Sequence, residues 1–311
     1  KNDGSIHLNM DYFAFTYDRV MTNQKFSELF GIKRRKEDEE AKQIHFDIGA
    51  SAQKVLEDIL LKMVEYLYQK TKSKNLCGGV ALNGVANYKI LKESSFENIH
   101  IPPSPGDAGS AVGAAQYLYY SYHKQNRKVE NDVTKRIIEN VYVGPSFSSD
   151  EIKKFLDEKN IKYEILNEDE LVKNCARLIV EGNVVGWYQG KMEWGPRALG
   201  NRSILADPRQ KEMKDILNEK IKHRESFRPF APSILEEYVA EYFEMNIPSP
   251  YMLMVSPVKK PDKIPAVTHV DGTGRLQTVS KNSNPLYYKL INEFYNLTGI
   301  PVVINTSMNV K

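Results

Sequence analysis

The chain has 311 residues, 43 Lys and Arg against 40 Asp and Glu, 41 % hydrophobic residues and a mean hydropathy of −0.49. At roughly 100–200 residues per domain this predicts two domains, and 18 Tyr with 12 Phe supply the core material that a disordered chain lacks. A net charge of +3 argues against a dedicated nucleic-acid binder, which would carry a basic excess.

No apolar run reaches about 18 residues and no charged-then-apolar leader opens the chain, so neither a membrane span nor a secretory signal is expected, and the location is read as cytoplasmic. Cys77 and Cys175 are too few for a disulfide scaffold and read as buried small residues in a reducing compartment. The positive excess is local. Between Gly186 and Phe230 ten basic residues face six acidic ones, which leaves 33 against 34 elsewhere.

In chain order, 6–8 and 12–15 read as strand-like pieces, and the charge run 33–40 reads as a solvated face. Apolar residues recur at three- and four-residue spacing from Val55 to Leu67, which predicts a helix over 50–67. Residues 76–83 read as a short buried strand, interrupted by Gly78 and Gly79, where a backbone or ligand can approach closely. A proline- and glycine-rich entry at 102–111, with Asp107 at its turn, leads into a small-residue helix. The polar, non-periodic stretch from His123 to Lys135 reads as a domain boundary. Beyond it come a strand at 141–143, a capping box at 148–151 opening a helix to about 159, a strand at 161–166, a helix at 169–180 and a strand at 184–188. This alternation predicts two α/β domains.

Four later segments carry the chemistry. Residues 190–209 place Lys191, Arg197, Arg202 and Arg209 on a glycine-turned stretch suited to phosphate, with Glu193 orienting an arginine or serving a metal; an ordinary salt-bridged surface loop fits the same residues. In 222–232, Lys222, Arg224, Ser226 and Arg228 alternate, so an extended backbone would set them on one face as a ladder for a polyphosphate, with Phe227 and Phe230 as its wall. An interdomain salt-bridge strip is the competing reading. Residues 266–279 set His269, Asp271 and Arg275 around a Gly-x-Gly turn, where His269 and Asp271 are either an acid/base pair or hydrogen-bonded structural residues. Residues 299–309 read as a buried strand ending in the polar turn Asn305-Thr306-Ser307-Met308-Asn309, and strand C-termini are where α/β sheets present ligand groups.

Together GGVALN at 78–83, PPSPGDAGSAVGAA at 102–115, GKMEWGPRALGNRSILADPR at 190–209, KHRESFRPFAP at 222–232, AVTHVDGTGRLQTV at 266–279 and NTSMN at 305–309 resemble, in kind and order, the O-carbamoyltransferases of antibiotic, cephem and nodulation-factor biosynthesis. The resemblance implies an α/β architecture. Residues 1–125 would be part of an actin/sugar-kinase-like transfer domain, 126–140 a linker, and 141–311 a YrdC-like domain with a twisted sheet. It implies two steps: ATP and carbamoyl phosphate give carbamoyl-adenylate, whose carbamoyl group passes to a hydroxyl of a small-molecule acceptor.

On that resemblance Arg197, Lys222 and Arg228 hold the phosphates and carbamoyl group, Arg224 and Arg275 assist, and Ser307 and Asn309 close the site. Gly78, Gly79 and Asn83 line a nucleotide site, and Asp107 is a metal ligand, with Mg2+ accompanying ATP. The implied partners are carbamoyl phosphate, ATP and the acceptor, with no nucleic acid or membrane, and a homodimer is allowed. The family also binds Fe2+ through a His-x-x-x-His pair and carboxylates. None of His7, His45, His100, His123, His223 and His269 forms such a pair, so a fragment lacking the acceptor-site half of the first domain and a short C-terminal tail is expected. Two other readings stay open: a phosphotransferase of the actin/sugar-kinase fold, and a non-catalytic nucleotide-binding module.

Overall fold

The periodic segment around Val55–Leu67 lies in a helix that is longer than its pattern, Gln43–Thr71, with Leu60 and Val64 buried and Lys72 ending it at φ 53°. The computed structural model describes residues 1, 4–36, 39–78, 82–127 and 141–309, which fall into two compact units. The first comprises Lys1–Leu76 and Lys89–Ile99. In it Lys89 pairs with Glu57 at 3.0 Å, the rings of Tyr68 and Phe96 meet edge-on at 5.6 Å, and Gly4, at φ +78°, lies so close to Met63 that a Cβ would come within 2.6 Å of its backbone nitrogen. The expected strand at 12–15 is absent: Met10–Tyr12 is a single 3-10 turn and Phe13 makes one isolated bridge, to Thr22. The segment 6–8 forms no strand either. Asn75–Cys77 (β1) and Asn98–His100 (β2) make a two-stranded sheet. Cys77 is exposed there, against expectation, whereas Cys175 is buried, and burial pushes its thiol pKa up.

The second unit, Cys77–Tyr88 with the chain from His100 onward, is built on a six-stranded mixed sheet. Its strands are Val185–Tyr188 (β3), Arg202–Ala206 (β4), Ala231–Leu235 (β5), Met254–Pro257 (β6), Thr273–Val279 (β7) and Val302–Ser307 (β8), in the order β3-β4-β8-β5-β7-β6. The β5–β7 pair is parallel and its neighbours are antiparallel. A parallel pair needs a crossover of a dozen or more residues, and the chain between Leu235 and Thr273 supplies one. Helices Glu168–Val180 and Pro285–Thr298 pack on each other, and the latter also packs on β5 and β8 through Tyr287, Leu290, Ile291 and Phe294. This is the mixed α/β class that the alternation predicted.

Ser148 and Glu151 form the reciprocal capping box expected to open Ser149–Glu158, and Asn167 with Glu170, a box not expected, opens Glu168–Val180. The helix expected over 50–67 starts seven residues earlier, at Gln43. Two expected short strands do not form. Val141 through Val143 is a turn whose buried Val141 accepts a 2.7 Å hydrogen bond from the Trp194 amide, and 161–166 is irregular, with Ile165 76 % exposed. An alternating segment becomes a strand only where another strand takes up its ladder hydrogen bonds, and no described strand lies beside these. The expected linker 126–140 lies outside the described residues from 128 onward. No helix among the described residues is long and apolar enough to cross a membrane.

Candidate functional site

Register places several polar side chains on one face of the large sheet. Ser233 faces Gln277 across the parallel pair, Asn305 faces Ala231 two residues from Ser233, and Arg275 is two residues from Gln277, so all four share a face. They are bonded accordingly: Ser233 Oγ donates to Gln277 Oε1 at 2.6 Å, and Asn305 Nδ2 donates to Gln277 Oε1 at 2.9 Å and Ser233 Oγ at 3.1 Å. The network grips the loop carrying Arg197, because Asn305 Nδ2 donates to the Ala198 carbonyl at 3.0 Å and Gln277 Nε2 to that of Leu199 at 2.9 Å. Sequence reading missed Ser233 and Gln277 and saw Asn305 only as part of a polar turn. Ser233 stood out as the single polar residue of the apolar strand β5, whereas Gln277 and Asn305 lie among other polar residues of β7 and β8.

The loop 190–201 is shaped from within. Glu193 is buried, and its Oε1 accepts the amide hydrogens of Leu199 at 2.7 Å, Asn201 at 2.8 Å and Arg202 at 3.2 Å. The bonds it makes are to main-chain amides and not to an arginine side chain: it satisfies three backbone donors that would otherwise be buried unpaired. Gly200 sits at φ +102°, with the Tyr287 ring 2.2 Å from where a Cβ would stand. Of the four cations singled out in 190–209, two have structural duties. Arg202 donates to the carbonyls of Gln189 at 2.6 Å and Asn201 at 2.8 Å and stacks 3.6 Å above the Tyr188 ring, while Arg209 is paired at 2.6 Å with the fully buried Asp207. Lys191 is exposed. Only Arg197 is left half-buried with a buried Nε that has no hydrogen-bond partner, and burial lowers its pKa from the ordinary arginine value.

The second cluster is not the extended ladder that its alternation suggested. Lys222 ends a helical turn, Leu217–Lys222, His223 turns the chain at φ 45°, and residues 224–229 form a loop. The i, i+2 spacing alone could not fix an extended backbone, because the intervening residues present no apolar face for a sheet to bury. The cations still converge. Arg224 lowers the pKa of Lys222, Arg228 lowers that of Arg224, and Arg197 and Arg224 lower that of Arg275, each after the larger effect of burial. Lys222 is thereby brought to about 8 and Arg275 to about 10. Arg275 Nε, like Arg197 Nε, is buried without a partner. Arg224 is fixed by Asn218, whose Oδ1 accepts from its Nε at 2.8 Å, and by stacking 4.8 Å from the Phe230 ring. Arg228 is half-exposed beside Glu225 at 2.8 Å. The expected wall is thus only half formed, since Phe227 is 53 % exposed.

Lys222, Ser307 and Asn309 do meet. The Lys222 ammonium donates to the backbone carbonyl of Ser307 and to that of Asn309 at 2.7 Å, with Ser307 Oγ at 3.3 Å and Asn309 Oδ1 at 3.2 Å also in reach; Ser307 Oγ donates to Asn309 Oδ1. Gly78 is at φ +111°, Gly79 lies outside the described residues, and Asn83 Oδ1 caps the helix Gly84–Glu93 by accepting from the Ala86 amide at 3.0 Å. Asp107 opens the helix Asp107–Gln116. Among the described residues no three His, Cys, Asp or Glu side chains come together as a metal site. Asp107 alone does not make an Fe2+ site, whereas Mg2+ bound to ATP asks for no more than one or two carboxylates beside the nucleotide's phosphates; no step below passes through a metal.

A buried sheet face that ends in converging cations has the charge that an anionic ligand needs. Family models for the carbamoyltransferase N-terminus and C-terminus match residues 1–116 and 176–311, and the chain belongs to the carbamoyltransferase family. It is 42 % identical over 337 aligned positions to the uncharacterized protein sll1178 of Synechocystis sp., covering 100 % of this chain and 54 % of that protein. It is 42 % identical to the nodulation protein NolNO of Sinorhizobium fredii, over 86 % of this chain and 39 % of that one, and 37 % identical to nodulation protein U of the same organism, over 85 % and 45 %. The chain therefore spans about half the length of these relatives, or less.

Proposed function

We propose that the chain is part of an ATP-dependent O-carbamoyltransferase whose adenylate-forming site is the cationic cluster of the second unit. Carbamoyl phosphate would lose inorganic phosphate to water, the resulting carbamate oxygen would attack the α-phosphorus of ATP and displace pyrophosphate, and an acceptor hydroxyl would then take the carbamoyl group and release AMP. The observation that carries this reading is the convergence of Arg197, Lys222, Arg224, Arg228 and Arg275, with the buried Nε atoms of Arg197 and Arg275 unpartnered. Positive groups held in place before the reaction stabilise charge that develops on a leaving pyrophosphate without reorganising. Two half-buried arginines supply such donors, and Lys222 adds its charge while bonded to Ser307 and Asn309.

Family membership and the nodulation-protein relatives support carbamoyl transfer, and a small hydroxylated acceptor fits it. Nucleotide product analysis tests the reading. Incubated with ATP and carbamoyl phosphate, the chain should give carbamoyl-adenylate or AMP, with pyrophosphate; ADP as the nucleotide product would instead mark a phosphotransferase.

A further inference from the structure

His269 opens the turn into β7 and is bonded to it twice: its amide donates to the Thr273 carbonyl at 2.7 Å, and its Nδ1 lies 3.0 Å from Thr273 Oγ1. The Thr273 hydroxyl has one proton, which it donates to Asp271 Oδ1 at 2.7 Å. Its oxygen must then accept, so His269 Nδ1 carries the hydrogen and Nε2 presents a lone pair. Burial holds the imidazole pKa below its ordinary value, which keeps the ring neutral at pH 7. Nε2 is buried and has no partner.

Thr273 and Arg275 are two residues apart on β7 and share a face, so the imidazole bonded to the Thr273 side chain lies on the Arg275 side of the strand. His269 Nε2, an acceptor, and Arg275 Nε, a donor, are thus buried polar atoms without partners on one side of β7, and Arg197, whose buried Nε donor also lacks a partner, lies close enough to act on the Arg275 charge. Buried polar groups are normally hydrogen-bonded, so this set calls for a ligand with acceptors on one part and an N–H or O–H on another. Phosphate oxygens satisfy the arginines and leave the imidazole unanswered. A carbamoyl group answers it, because its carbon bears an amino group.

We propose that His269 is a specificity-determining residue that accepts a hydrogen bond from the carbamoyl –NH2, while Arg275 and Arg197 hold the adjoining oxygens. The assignment rests on the adenylate-forming reading of this site. Asp271 and Thr273 are positioning residues that fix the tautomer.

The test compares carbamoyl phosphate with acetyl phosphate, which replaces the amino group by a methyl. Binding of each to the full chain is measured by calorimetry for wild type, His269→Leu and His269→Gln. We expect wild type to prefer carbamoyl phosphate by about tenfold or more, the scale of one buried neutral hydrogen bond. His269→Leu should erase that preference with acetyl phosphate binding changed less than twofold, and His269→Gln, which keeps an acceptor, should retain part of it. No preference in wild type, an equal loss of both ligands in His269→Leu, or a preference that survives His269→Leu would overturn the proposal. Pyrophosphate release in the same samples separates the two claims: release with a preference indifferent to His269 refutes only this one, and a His269-dependent preference without release refutes only the adenylate reading.

Discussion

Lys222 and Asn309, 87 residues apart in sequence, are joined by the ammonium, which donates to the Asn309 backbone carbonyl at 2.7 Å. A buried lysine with Arg224 nearby is thus tied to the turn that ends β8, and its pKa of about 8 makes the site sensitive to pH. Below about pH 8 the folded and unfolded chains both carry the proton, and the cost of burying it stands in full. Between about 8 and the ordinary value of 10.5 the unfolded chain holds more protons, so this group's contribution to stability rises with pH. Anion binding moves the other way. Triphosphate affinity measured by calorimetry should fall as pH rises through 8 in wild type, and the fall should vanish in Lys222→Met.

Removing Glu193 strands three buried amides at once. Glu193→Ala should destabilise the second unit by at least about 4 kcal/mol in urea unfolding, since three hydrogen bonds to the carboxylate are lost and each is worth roughly 1.5–3 kcal/mol. Triphosphate affinity should fall with it, because the same loop carries Arg197.

Gly200 and Gly272 separate backbone strain from steric conflict. Both have positive φ, but a Cβ at Gly200 would stand 2.2 Å from the Tyr287 ring, whereas nothing lies within 4 Å at Gly272. Gly272→Ala should cost about 1 kcal/mol, the left-handed penalty alone. Gly200→Ala should cost at least about 2 kcal/mol more, or fail to fold, as thermal unfolding would read.

Arg228 tests whether the cluster is for binding or for stability. Its pairing with Glu225 is half-exposed, and such ion pairs contribute about 0–1 kcal/mol. Arg228→Ala should therefore leave the melting temperature nearly unchanged and lower triphosphate affinity severalfold. Unchanged affinity would remove Arg228 from the site.

The residues that hold the cluster together were the part least legible in the sequence. The basic segments and the terminal Ser307 and Asn309 were visible as local composition, and capping residues such as Ser148 and Glu151 announced helix starts, because both signals lie within a few residues of one another. Ser233, Gln277 and Asn305 act together only once β5, β7 and β8 are in register, which no local spacing encodes. The same limit misread Lys222 to Arg228: the alternation was real, but His223 at φ 45° breaks the extended backbone that would have made it a ladder. For His269 and Asp271 the spacing left an acid/base pair and structural residues both open, and it could not show that Thr273, through its hydroxyl, is what joins them.

If the cationic face of the second unit forms carbamoyl-adenylate, pyrophosphate release from ATP depends on carbamoyl phosphate and drops at least tenfold in Arg275→Ala and Arg197→Ala. Release at the same rate without carbamoyl phosphate, or unaltered in both variants, would contradict it.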